Sequence, residues 1–135
     1  EVIDGGVRVR VVTGDYHGTV GPVTGVATNP TYLDVHLSAS SSFEYSVGPE
    51  DTVVLYFLDG STDISGTAVE AGPCALLDNG DPLVRVDSVR GCRFIFISGA
   101  PLNEPIAWGG PIVMNTREEV SKAFEEYRNG TFVKG

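Results

Sequence analysis

The chain has 135 residues, 41% of them hydrophobic and 20% charged, a length that supports one buried core and a composition ordinary for a globular protein. Eighteen acidic residues against nine basic ones give a net charge of −9, which argues against direct binding of nucleic acid, where Lys and Arg must neutralise phosphates. No apolar run approaches the roughly 20 residues of a membrane span, and one pair of cysteines, Cys74 and Cys92, is not a disulfide framework.

The N-terminus, Glu1-Val-Ile-Asp-Gly-Gly, has no basic or apolar leader and no initiator Met, which is expected of a cytoplasmic chain processed or cut from something longer. Val7-Arg-Val-Arg-Val-Val alternates as a half-buried strand does. His17 to Pro30, rich in Gly and Pro, is expected to be a long loop or a poorly formed hairpin. Leu33, Val35 and Leu37 then alternate with Tyr32, Asp34 and His36, a second strand. Ser38-Ala-Ser-Ser-Ser42 is a polar turn, and Phe43 and Tyr45 flank Glu44 with period two. Thr52 to Leu58 is apolar at almost every position and predicts a strand buried on both faces.

Further strands are expected at Ala75–Leu77, Leu83–Val89 and Arg93–Ile97. The breaks between strands are turns, at Gly48-Pro49-Glu50-Asp51, Asp59-Gly60, Gly72-Pro73 and Asp78-Asn79-Gly80-Asp81. Cys74 and Cys92 adjoin apolar strand residues and are expected as buried reduced thiols, a single disulfide being the alternative. One helix closes the chain over residues 116–129. Thr116 and Glu119 form a capping box, Val120, Ala123, Phe124 and Tyr127 form one apolar face, and Asn129-Gly130 is the stop. Many short strands with regular turns predict an all-β sandwich or jelly roll with one C-terminal helix, as a single domain over 1–135.

The segment Phe94-Ile-Phe-Ile-Ser-Gly-Ala-Pro-Leu-Asn-Glu-Pro-Ile-Ala-Trp-Gly-Gly-Pro-Ile-Val-Met-Asn-Thr, followed by the helix and Phe132, resembles the end of the pirin family. These are two-domain cupins whose second domain closes with Glu-Pro-Ile, a Trp, a Gly-Pro and Met-Asn-Thr before a last helix. The resemblance is closest over 94–132, moderate at Tyr32-Leu-Asp-Val-His-Leu and at Phe57-Leu-Asp-Gly60, and thin before residue 30. It implies the C-terminal cupin, a jelly-roll sandwich or barrel. Pirins are similar to quercetin 2,3-dioxygenases; some members oxidise that flavonol, and others regulate by binding transcription factors or metabolic enzymes.

Cupin enzymes hold their metal with a His-x-His pair, a Glu and a third His, donors suited to iron or manganese. With the glycine ending the first cupin motif at Gly60, Val53 takes the Glu position, and no His lies between residues 37 and 53. The second motif, begun at Gly66, places Gly72 for its Pro, Cys74 for its Gly and Leu77 for its His. The resemblance therefore implies no cofactor and no catalysis in this chain alone. It implies iron or another divalent metal in an N-terminal cupin, and a structural, partner-binding role for this half. The expected partners are that N-terminal cupin, a second copy through an exposed face, or another protein.

Other sites are sparser in signal. Asp34 and His36 share a strand face and, with Glu44, are the alternative metal set. Tyr56, Glu104 and Trp108 are candidates for a pocket or interface. Trp108 is expected to pack across the end of the sandwich, with Glu104 accepting backbone hydrogen bonds in a tight turn. A different class of function is a stand-alone cupin binding a small molecule at the barrel mouth without metal, with His36, Glu44 and Tyr56 as polar contacts. There is no Gly-x-Ser-x-Gly elbow and no phosphate-binding loop between a strand and a helix.

Overall fold

The alternation in the sequence becomes an antiparallel sheet in the computed structural model, which describes residues 1–64, 66–70, 72, 74–78 and 80–134. The chain divides into two compact units, Glu1–Pro101 and Leu102–Gly135. Among the described residues, the first contains eleven strands: β1 (Val2–Asp4), β2 (Val7–Thr13), β3 (Asp15–Tyr16), β4 (Thr19–Val20), β5 (Thr31–Leu37), β6 (Ser41–Ser46), β7 (Thr52–Ile64), β8 (Thr67–Glu70), β9 (Cys74–Leu77), β10 (Leu83–Ser88) and β11 (Cys92–Gly99). The order β1-β2-β5-β11-β7-β10-β6, with β8 and β9 also paired to β7, makes one curled nine-stranded sheet.

Leu33, Val35 and Leu37 of β5, Phe43 of β6, Leu55 and Phe57 of β7, Val86 of β10 and Phe94 and Phe96 of β11 are fully buried on its concave side. Phe43 meets Phe94 edge-on at 5.6 Å and Phe96 at 5.7 Å, separations at which aromatic pairs attract beyond the area they bury. His17 and Gly18, both at positive φ, turn the β3–β4 hairpin, so the expected weak hairpin forms and the long loop is limited to 21–30.

β7 departs from expectation twice. It is buried on one face only: Val53, Leu55 and Phe57 point inward, while Tyr56 and Leu58 are exposed. Nor does the chain turn at Asp59-Gly60, since the strand runs on to Ile64. Arg93 pairs with Asp59 and Phe94 with Phe57, so Leu58 is an extra residue, a bulge. The bulge changes the parity of the strand beyond it. Odd positions face the core up to Phe57, and Thr62 and Ile64 face it afterwards. Gly60 (φ +80) supplies the backbone that this requires, its positive φ serving a bend inside a strand. β7 is thereby shared. Its first half pairs with β11 and β9, and its second half with β10 and β8.

Both cysteines are free thiols. Cys92 is buried as expected; Cys74 is exposed, because its strand pairs opposite Tyr56 on the convex face. The expected turns at Gly72-Pro73 and Asn79-Gly80 include Pro73 and Asn79, which lie outside the described residues.

The second unit is a hairpin, β12 (Ala107–Gly109) and β13 (Ile112–Met114), with the helix α1 (Arg117–Arg128). The capping box forms as the sequence predicts: Glu119 N–H donates to Thr116 Oγ1 at 3.2 Å, and Thr116 N–H donates to Glu119 Oε2 at 2.8 Å. Val120 and Ala123 are buried, whereas Tyr127, placed by periodicity on the same face, is exposed. Gly109 is where hairpin and helix come closest, since a Cβ there would stand 2.6 Å from Val120 Cγ1.

Candidate functional site

Two features of the first unit could carry function: a cavity inside the curled sheet and the convex face of that sheet. The cavity opens where the turn 48–51 enters β7. Asp51 fixes that turn twice, donating its N–H to the Gly48 carbonyl and accepting the Gly48 N–H at 3.0 Å on Oδ2. β9 then lies against β7 with Val53 opposite Leu77 and Leu55 opposite Ala75. Val53 and Leu77, which occupy the cupin ligand positions by motif, thus face each other on neighbouring strands, and both line the cavity. Its volume is about 370 Å³, and Ile64, Val69 and Val84 add to its apolar wall. Asp51, Asp78 and Asp81 stand around it, and Asp81 Oδ1 accepts the Leu83 N–H at 3.0 Å.

This donor set does not suit a resident cupin metal. It offers no imidazole, and the inward positions between the paired strands carry Val and Leu. Among the described residues, no three His, Cys, Asp or Glu side chains converge as a metal centre would need.

The convex face is built of cross-strand rows. Tyr32, Ile97, Val54 and Leu76 form one row across β5, β11, β7 and β9. Asp34, Ile95, Tyr56 and Cys74 form the next, and His36, Arg93 and Asp59 the third. Leu76 is 69% exposed, Tyr56 45% and Ile97 38%, values unusual for neighbours in a contiguous apolar strip. The charged end of this face is a groove lined by Glu1, Arg8, Arg10, Asp34, His36, Asp59 and Arg93.

The structure brings Asp34 and His36 together in that groove but does not bring Glu44 to them. Asp34 takes Arg93 Nε on Oδ1 at 2.9 Å and Arg93 Nη2 on Oδ2 at 2.8 Å. This bidentate pair holds the Asp34 carboxyl below its ordinary value. Glu44, on β6, accepts Arg85 Nη1 at 3.0 Å. Arg85 also donates to Asp87, whose carboxyl is lowered first by that bond and then by Ser42 Oγ. His36, Glu44 and Tyr56 do not line the cavity. Each sits one residue out of phase with the core-facing positions of its strand. The cavity's carboxylates were legible in the sequence only as turn residues.

In the second unit, Glu104 Oε2 accepts a bond from the Asn115 side-chain amide at 2.9 Å, where a backbone donor was expected. The same amide donates to the Pro105 carbonyl at 3.0 Å, which ties the segment before β12 to the start of α1. Trp108 donates through Nε1 to the Gly110 carbonyl. Its ring is 69% exposed, contrary to the expected packing, because it and Val113 lie on the hairpin face opposite to the one that meets Val120 and Phe124.

A solved quercetin 2,3-dioxygenase from Acinetobacter baumannii superposes with a TM-score of 0.88 at 26% identity, over 98% of this chain and 46% of that one. The curled antiparallel sheet and this likeness define the class as a cupin. The chain also matches the Pirin C-terminal cupin domain over residues 32–133. A pirin-like protein of Caulobacter vibrioides is 38% identical over 133 residues, which cover 98% of this chain and 48% of that protein. A putative quercetin 2,3-dioxygenase of Thermoplasma acidophilum is 34% identical over 142 residues, 97% of this chain and 53% of that protein. The chain belongs to the pirin family, as its C-terminal cupin domain. It spans about half the length of the curated relatives it matches.

Proposed function

We propose that this chain is the half of a two-cupin protein that supplies structure and a partner surface and holds no metal of its own. The observation that carries the reading is the convex face, where Tyr32, Val54, Tyr56, Leu76, Ile95 and Ile97 form an apolar strip beside a mixed-charge rim of Arg8, Arg10, Arg93, Asp34 and Asp59. Tyr-rich apolar centres with arginine nearby are what protein interfaces are made of. The apolar pair Val53 and Leu77 supports the metal-free part of the reading.

We infer that the face docks on the remaining half of the parent protein, which the relatives' length leaves room for. Iron or another divalent metal, and any quercetin 2,3-dioxygenase-like or regulatory activity, belongs to that remaining half or to the joined protein, in the cytoplasm.

Elemental analysis of the purified, untagged chain is expected to find no stoichiometric iron, nickel or manganese. One bound metal per chain together with flavonol cleavage would overturn the reading. With its partner half absent, the chain should self-associate in sedimentation, and Tyr56→Lys with Leu76→Lys should return it to monomer. A clean monomer at high concentration before substitution counts against the interface. No helix of the described residues is long and apolar enough to cross a membrane. The cavity favours a second reading, a cupin that binds a small molecule in its mouth without metal.

A further inference from the structure

We propose that the cavity takes a small organic cation with an apolar body, an aryl- or alkylammonium. The body would rest on Val53, Leu77 and Val84, with the charge at Asp51, Asp78 and Asp81. The proposal rests on the small-molecule reading and names its ligand class. At about 370 Å³ the cavity is within the range of small-molecule sites. Its inner wall is aliphatic, so the inner part of a ligand gains by leaving water. Asp78 and Asp81 are exposed at the rim. A cation placed there keeps much of its hydration and avoids the desolvation cost of a buried charge.

Two of the carboxylates are held in place, Asp51 by the Gly48 N–H and Asp81 by the Leu83 N–H, so an ammonium would meet fixed acceptors. The basic residue on the cavity wall, Arg85, is already bonded to Glu44 and Asp87, and an incoming anion would face three carboxylates. The net charge of −9 draws cations and repels anions at longer range.

The test is a set of NMR titrations of the 15N-labelled 135-residue chain at low salt, following the amides of Val53, Leu77 and Val84. The probes are phenethylammonium, phenylpropanol and phenylpropanoate, which share an aryl body and differ in charge. Phenethylammonium should shift these amides with a Kd of about 1 mM, as befits so small a ligand. It should bind at least tenfold more tightly than either of the others. Asp78→Asn, a change at an exposed position, should weaken the cation about threefold and leave phenylpropanol unchanged; a cation affinity untouched by that change would overturn the proposal. If phenylpropanol or phenylpropanoate binds the same amides as tightly as the cation, the ligand class is wrong while the small-molecule reading stands. If none of the three shifts them, both fall.

Discussion

Replacing Gly60 by alanine tests the account of β7 directly. A Cβ at Gly60 would stand 2.3 Å from the Gly91 carbonyl oxygen and 2.8 Å from Cys92 Cα, both backbone atoms of the neighbouring strand segment, which no rotamer change can relieve. Gly60 also sits at φ +80, where a residue with a Cβ costs about 1–2 kcal/mol. Relieving the clash means parting β7 from β11 beside Cys92, at a further cost of about 1–2 kcal/mol for disturbed ladder bonds and packing. The sum, about 3 kcal/mol, is a large share of the roughly 5–15 kcal/mol that holds a domain together.

For a chain of this size, that corresponds to a fall in Tm of about 10 °C. Gly5→Ala is the matched control, because Gly5 is at φ +53 with nothing within 4 Å of its would-be Cβ; strain alone should cost it about 1–2 kcal/mol. Circular-dichroism melts and urea titrations of the two variants, run side by side, give the answer. Equal losses in both would refute the close approach of β7 and β11 as the cause. A loss at Gly60 no larger than about 1 kcal/mol would refute the bulge geometry altogether.

Other expectations rest on single groups. The folded-state pKa of Asp34 is lowered, chiefly by its hydrogen bonds from Arg93, so the pair contributes stability above the ordinary value of 3.8 and loses it as pH falls through the lower, folded value. Asp34→Asn should remove about 0.5–1 kcal/mol at neutral pH and flatten the acid limb of the stability profile; an unchanged limb would refute the pairing. Burial raises the Cys92 thiol above 9.0 and the Tyr16 hydroxyl above 10.0. Both therefore favour the fold below those values and cost stability as pH rises through the raised ones. Cys92→Ala should make the alkaline decline shallower in melts taken above pH 9. Thr116→Ala removes the hydroxyl that accepts the Glu119 N–H, and should cost about 1 kcal/mol, read as faster amide exchange in the first turn of α1. Phe43→Ala, which empties the aromatic cluster against Phe94 and Phe96, should cost about 3–5 kcal/mol in urea unfolding.

Strands whose two faces differ in polarity were legible in the sequence. β5 shows its core side through Leu33, Val35 and Leu37, and β6 through Phe43. α1 was legible because its cap is a local device, closed between Thr116 and Glu119. β7 was not, because Val54, Tyr56 and Leu58 are as apolar as the residues that fill the core, and periodicity cannot tell an exposed apolar face from a second buried one. Its bulge depends on which residue of β11 lies opposite, which is a tertiary fact. The same limit applied to the site. Motif spacing brought Val53 and Leu77 forward, and pairing sets them face to face. The parity of β5 and β6, applied consistently, would have kept His36 and Glu44 out of the cavity; for Tyr56 the sequence offered no such signal. Asp51, Asp78 and Asp81 carry turn signals, and a turn residue's second role at a rim has no one-dimensional signature.

The sharing of β7 between two halves of the sheet has a consequence for exchange with solvent. Residues near the middle of the strand, such as Val54 and Leu55, have ladders on both sides, and their amides are released only when the whole sheet opens. Among the described residues, β1 and β6 each have a single strand neighbour, so their protons can escape by fraying from the edges inward. In a deuterium pulse the edges would label first and the centre of β7 last, at a rate set by global unfolding, and that slowest rate would measure the stability of the entire first unit.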